Sequence, residues 1–133
     1  MALMLDTSVI ADIERNKRAT LLQLEALSFA YPAKAHISFI TYFEMLLGYK
    51  NKKPNYIDFH ISRLQSFNCL AATQRTAEIL ASLRQEYDAK GEVFSLSDLI
   101  IAAQAIEHAH VLLTKDKQFG RIRELRCKVM EHA

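Results

Sequence analysis

The chain has 133 residues and a mass of 15.2 kDa; half of it is hydrophobic, 24% is charged, and the formal net charge is +2. That is the size and composition of a single globular domain, residues 1–133, which can bury a core without metal or disulfide staples. Its apolar runs fall far short of the ~18 residues a membrane helix requires. No basic leader precedes an apolar stretch, and Cys69 and Cys127 stand apart without CxxC spacing. A cytoplasmic protein with two reduced core thiols is therefore expected.

The first element is a short apolar run, Ala2 to Leu5, of the kind that forms a strand buried on both faces. Asp6 ends it, and Val9, Ile10 and Ile13 follow at helical spacing, so a strand feeds a helix over Thr7 to about Arg15. Asp6, Thr7 or Ser8 can cap that helix. In an open α/β sheet the same edge also binds ligands. Ala19 to Ala30 has the pattern of an amphipathic helix, stopped at Tyr31-Pro32. Ala35 to Phe39 reads as a second strand, and Thr41 as the cap of a third helix reaching about Tyr49. That helix carries Glu44 one turn in. It has two apolar stripes: Ile40, Phe43 and Leu47, and Tyr42, Met45 and Tyr49. A helix apolar on two sides is usually covered on two sides, and the second stripe is expected to face a partner chain.

Lys50-Asn51-Lys52-Lys53-Pro54 is a basic loop, readable as a solvated linker or as a phosphate contact. Tyr56 to Phe67 is a further helix and Cys69 to Ala71 a short strand. Thr73 then caps a long helix that stops at Gly91. Ser95 and Asp98 have the spacing of a capping box with Asp in place of the usual Glu, opening a helix to about His108. Val111 to Leu113 is a buried strand, followed directly by Thr114, Lys115 and Asp116. Lys117 to Ile122 is a short helix with Phe119 inward, and Lys128 to Met130 a last strand. Alternating strands and helices imply an α/β fold: a parallel sheet of about five strands with helices on both faces, in three layers.

Four of the 15 acids have equivalent addresses in this layout. Asp6 follows the first strand, Glu44 lies in the helix after the second, Asp98 opens the helix before the fourth, and Asp116 follows the fourth. The remaining 11 acids face 17 lysines and arginines, a basic body around an acidic centre that suits a polyanionic substrate held by metal. Carboxylates gathered in one cleft repel unless a cation neutralises them. An oxygen-only set without a Cys or His cluster favours Mg²⁺ or Mn²⁺. Metal-assisted phosphodiester hydrolysis is the chemistry such a site serves. The same repulsion predicts that neutralising Asp6 or Asp116 stabilises the metal-free fold.

The residues Leu5-Asp6-Thr7-Ser8, Glu44, Asp98 ahead of Leu99-Ile100-Ile101-Ala102-Ala103, and Thr114-Lys115-Asp116-Lys117-Gln118-Phe119 resemble those of PIN-domain ribonucleases of the VapC toxin type. The resemblance runs from about Leu3 to Val129. It implies a PIN-like fold and a Mg²⁺- or Mn²⁺-dependent endoribonuclease, usually dimeric and inhibited by a VapB-like antitoxin. It further implies Asp6, Glu44, Asp98 and Asp116 as catalytic and metal-binding acids, with Ser8 and Thr114 in support. An RNA-processing nuclease without an antitoxin, or a catalytically idle RNA- or protein-binding module, are the alternatives.

Other motifs are missing. The glycines Gly48, Gly91 and Gly120 are isolated, so there is neither GxxxxGK[ST] nor GxGxxG, and HExxH and GxSxG do not occur. Position 8 is Ser8, which removes a DxDx[TV] phosphatase; a phosphoreceiver domain leaves Glu44 and Asp98 without a role. His108 and His110, two residues apart, do not share a helix face and are read as structural.

Overall fold

The computed structural model describes residues 1–131. Leu3–Leu5 forms β1, buried at every position, and Asp6 turns the chain into α1, Thr7–Glu14, by accepting the Val9 N–H as its N-cap. α2 is Arg18–Leu27, β2 His36–Ser38 and α3 Phe39–Gly48. α4 is Pro54–Gln65, β3 Asn68–Leu70 and α5 Gln74–Ala89. α6 is Leu96–Glu107 and β4 Val111–Thr114; a 3-10 turn over Lys117–Arg121 and β5, Cys127–Val129, complete the order.

The five strands form one parallel sheet in the order β3-β2-β1-β4-β5. β1 thus lies centrally: the chain runs outward through β2 to β3 on one side, then returns to β4 on the other. That reversal is a topological switch point, and the crevice at the carboxyl ends of such strands is where open sheets bind ligands. Pairing of Leu5 with Leu113 sets Asp6 beside Thr114 at that end.

Alternation along the strands builds two cores, giving three layers. Leu3, Leu5, Val111 and Leu113 face α1 to α4 and pack with Ile10, Ile37, Met45 and Leu64. Met4 and Leu112 face the other way and pack with Leu83, Tyr87, Leu99 and Phe119.

Three expectations are corrected. Ser38, not Thr41, caps α3: it ends β2 in extended geometry and accepts the Ile40 N–H, while Thr41 is fully buried one turn in. Of the Tyr42, Met45 and Tyr49 stripe, Met45 and Tyr49 are 7% and 4% exposed and pack into the monomer's own core with Tyr42 half-buried against it, whereas Phe43 and Leu47, at 54% and 57%, face outward. Cys69 is exposed and Cys127 half-buried, so neither is a core thiol; both lie on outer strands, β3 and β5, where one flank is open. Among the described residues, no helix is long and apolar enough to cross a membrane.

Candidate active site

Asp6, Glu44, Asp98 and Asp116 line one cavity of about 210 Å³, together with Thr7, Ser8, Ile101 and Phe119. All four acids named from the sequence are brought together. Each arrives on a different element, and each is fixed by local chemistry.

Asp6 is 4% exposed and holds three donors. Ser8 Oγ donates to its Oδ1 at 2.6 Å, beside the Val9 N–H at 3.2 Å, and Thr114 Oγ1 donates to Oδ2 at 2.5 Å. Burial pushes the Asp6 carboxyl above its ordinary range; the Ser8, Thr114 and Val9 hydrogen bonds oppose this, and Asp116 adds to it. Thr114 also accepts the Asp116 N–H at 3.0 Å, and Ser8 accepts the Lys115 N–H at 3.3 Å. The two supporting hydroxyls thus lock the turn after β4 onto the turn after β1. Asp116 caps the 3-10 turn by accepting the Gln118 N–H at 2.9 Å.

Asp98 sits in the first turn of α6, where Ser95 Oγ accepts its backbone N–H at 3.1 Å, half of the expected capping box. Burial raises the Asp98 carboxyl, the Ser95 hydroxyl's side-chain interaction with that carboxyl lowers it, and Asp116, Asp6 and Glu44 raise it further. Mutual repulsion of the four acids is therefore felt at Asp98. Glu44 is held by Thr7, whose Oγ1 donates to Oε1 at 2.7 Å and lies 3.3 Å from Thr41 Oγ1. Thr7 was legible in the sequence only as a possible cap; its contact with Glu44 spans 37 residues, and local pattern does not register that.

A second pair stands behind the site. Lys115 Nζ lies 2.8 Å from Asp12 Oδ2, and Thr20 Oγ1 donates to the same oxygen at 2.6 Å. Asp12 is 3% exposed. Burial pushes its carboxyl up, but Lys115, Thr20 and Lys17 together bring it below the ordinary range. This ties the Thr114–Asp116 turn to the body of α1.

The donor set fits a hard divalent cation: oxygen only, acidic, half-desolvated and short of positive charge at its centre. Among the described residues no three acidic, His or Cys side chains close into a preformed cage. Mg²⁺ suits such openness, since it retains waters and takes one or two carboxylates directly.

Residues 3–125 match the PIN domain family. Among solved structures, the fold is similar to that in VapBC2 from Rickettsia felis bound to a promoter DNA fragment, with TM-score 0.86 and 25% identity over 98% of this chain and 100% of that one. A toxin-antitoxin complex from Klebsiella pneumoniae matches with TM-score 0.75 and 32% identity, covering 94% of this chain and 95% of that one. DNA-bound VapBC from Salmonella typhimurium matches with TM-score 0.82 and 23% identity over 97% and 98% of the two chains. No curated protein sequence matches. With the sheet order, the acidic cavity at its switch point and a match over residues 3–125, the chain belongs to the PIN-domain family.

Proposed function

We propose that the protein is a Mg²⁺- or Mn²⁺-dependent endoribonuclease, the toxin of a VapBC-type pair. The observation that carries this is the single cavity shared by Asp6, Glu44, Asp98 and Asp116. Those four acids would hold the metal. A divalent ion held by them would supply Lewis acidity to the phosphodiester and its leaving oxygen and would make a nucleophile of water near neutral pH. The protein's own part is geometric: Thr7 orients Glu44, while Ser8 and Thr114 orient Asp6. Arg15, Lys17 and Lys115 line the next cavity along, which also reaches Ser8 and Asp116, and give a phosphate backbone positive ground beside the acids.

The toxin reading is supported by the likeness to VapBC and toxin-antitoxin complexes, and it brings with it a VapB-like antitoxin as partner and a homodimer. The outer face of α3, with Phe43, Leu46 and Leu47 exposed, is the dimer surface in this reading, replacing the buried stripe.

The test is cleavage of structured RNA by purified protein with Mn²⁺, Mg²⁺ or EDTA. Cleavage is expected only with metal, and Asp98→Asn is expected to abolish it with an unchanged circular dichroism spectrum. Activity that survives EDTA would overturn the mechanism.

A further inference from the structure

A cavity of about 290 Å³ follows α1 from Ser8 to the turn at Lys17. On the helix it takes Ser8, Ala11 and Arg15, spaced i, i+3 and i+7, one outward face with a small residue at its middle. The helix then ends in a Schellman turn. Asn16 adopts a left-handed conformation, φ 53°, which Asn tolerates better than most residues. Its N–H donates to the Ile13 carbonyl at 3.1 Å, and the Lys17 N–H donates to the Asp12 carbonyl at 3.0 Å. The chain is thereby folded back, and Lys17 joins Arg15 at one cavity.

Three cations and two carboxylates border this space. Lys115 is engaged by Asp12, its Nζ lying 2.8 Å from Oδ2 of that buried carboxylate. Asp116 belongs to the acid set. Arg15 and Lys17 are exposed, and among the described residues neither forms an ion pair. Burial raises the Asp12 carboxyl, and Lys115, Thr20 and then Lys17 lower it, so the Lys17 charge is felt at the cavity wall. Complementing the carboxyl end of the α1 dipole is the simplest role for two such cations. Two observations ask for more. Both cations line a concavity, and that concavity shares Ser8 and Asp116 with the acidic cavity.

We infer that this cavity is a subsite for one phosphate, the neighbour of the phosphodiester being cut, and that Arg15 and Lys17 bind it. The inference rests on the RNA-cleaving reading above. Four carboxylates repel a polyanion, and a metal ion offsets that at the phosphate it touches. A strand that reaches the acids therefore gains from cations one nucleotide away. Because Ser8 and Asp116 belong to both cavities, the phosphate brought to Arg15 and Lys17 is the adjacent one. The planar fork of Arg15 suits two phosphate oxygens at once, and Lys17 adds a point charge. Contacts to a non-reacting phosphate also hold the reacting one in place, which raises rate as well as affinity. The consequence is a minimum substrate that carries a second phosphate beside the scissile one.

Two measurements on the full chain test this. The first compares, with Mn²⁺, the dinucleoside monophosphate UpU and the same compound extended by one phosphate at its 5′ or its 3′ end. The wild type should cut one extended form with a kcat/KM about tenfold above that of UpU, the scale of one hydrogen bond to a charged group. An extended form that is cut where UpU is not counts as such a gain. Arg15→Gln and Lys17→Gln should each pull the ratio toward one, whatever they do to the rates themselves, and Arg15→Lys should restore part of it. No gain at either end, or a gain that both Gln variants keep, would overturn the subsite and leave the nuclease reading standing. The second is fluorescence anisotropy in EDTA with a labelled single-stranded RNA over a range of salt. Each Gln variant should flatten the slope of log K against log salt by about 0.7, the share of one phosphate contact on a single strand. Slopes unchanged in both would overturn the subsite. If no RNA is cut with any metal, the nuclease reading fails and the slopes decide the phosphate site alone. Variants that only melt lower, with ratio and slope intact, would also overturn it and assign both cations to the α1 dipole.

Discussion

Thr7 Oγ1 donates to Glu44 Oε1 at 2.7 Å, joining the first residue of α1 to the middle of α3. The bond fixes which way one of the four acids points, and it does so from the same turn that presents Asp6. Partners that orient metal-binding carboxylates typically matter 10–100-fold in affinity or activity. Thr7→Val is therefore expected to lower kcat/KM for RNA by about that factor, while Thr7→Ser, which keeps the donor, retains most of it. Equal losses in the two variants would assign Thr7 a packing role only.

Asp12 and Lys115 pin the turn that carries Asp116. Removing one member of a buried pair strands the other, at a cost of about 3–5 kcal/mol. Asp12→Ala is expected to lower the melting temperature by several degrees and to weaken cleavage, because the Thr114–Asp116 turn loses its tether. The Asp12 carboxyl is held below the ordinary range in the folded protein, so its share of stability is present at neutral pH. That share is lost as pH falls through the lowered pKa. Melting curves of wild type and variant converging at low pH would bear this out.

Much of the frame could be read from local pattern. The runs at Leu3–Leu5 and Val111–Leu113 are apolar at every position because parallel strands are covered on both faces, and that signal is local. Three of the four acids were placed for a similar reason: Asp6 and Asp116 sit at strand ends and Asp98 in a first helical turn, positions that sequence marks, while Glu44, in the middle of α3, was placed only by its helix following β2. What spacing along α3 did not decide was which apolar stripe is covered. Met45 and Tyr49 are buried by Ile10, Ile37 and Leu64, which come from three other elements. Thr7 with Glu44, and Asp12 with Lys115, escaped for a similar reason, being pairs 37 and 103 residues apart. Thr73 was legible as a cap, but its reciprocal partner Thr76 was not, because a Thr in that position lacks the usual Glu or Gln signature.

Three histidines stack at the opposite end of the sheet from the acids. The His36 and His110 ring centroids are 4.2 Å apart, His108 lies 5.9 Å from His110, and His110 Nδ1 accepts the Ala2 N–H at 3.2 Å. Burial lowers the His110 pKa to about 4, with His36, His108 and the N-terminal amine adding to the effect; Glu107 lies beside His108 at 3.7 Å. A histidine with a lowered folded pKa binds fewer protons folded than unfolded, so stability falls as pH drops from about 6.5 toward 4. His110→Asn keeps an acceptor for Ala2 and removes the titration. Its melting temperature should gain on the wild type steadily below about pH 6.5; a gap that does not change with pH would refute the assignment.

The outer face of α3 predicts self-association. Phe43, Leu46 and Leu47 are exposed at i, i+3 and i+4, an apolar patch on one side of one helix. Light scattering at tens of micromolar is expected to give the mass of a dimer for wild type and of a monomer for the double variant Phe43→Glu, Leu47→Glu. A monomeric wild type would refute this surface.

The four acids should make the metal-free fold less stable than it could be, and the structure says which one shows it. Asp6 takes Ser8 and Val9 on Oδ1 and Thr114 on Oδ2, so an Asn there sacrifices an accepted hydrogen bond along with the charge, whereas Asp116 accepts the Gln118 N–H on Oδ1 alone, which an Asn can still do. The expected stabilisation is therefore offset at Asp6 and stands at Asp116. Asp98 is different: burial and the charges of Asp116, Asp6 and Glu44 raise its pKa, and the bond that Ser95 accepts comes from its backbone N–H, which an Asn retains. A carboxyl whose folded pKa lies above its unfolded value destabilises the fold as pH rises past the ordinary carboxylate range. At neutral pH in EDTA, Asp98→Asn should therefore melt a few degrees above wild type. Metal should reverse the order, since a ligand at a hundredfold excess over Kd stabilises by about 2.7 kcal/mol. The wild type should collect most of that, and the variant, short of one carboxylate, much less. Melting curves of both proteins with EDTA and with Mn²⁺ make the comparison. A variant that melts below wild type in EDTA, or that gains as much from Mn²⁺, would separate Asp98 from the metal-binding set.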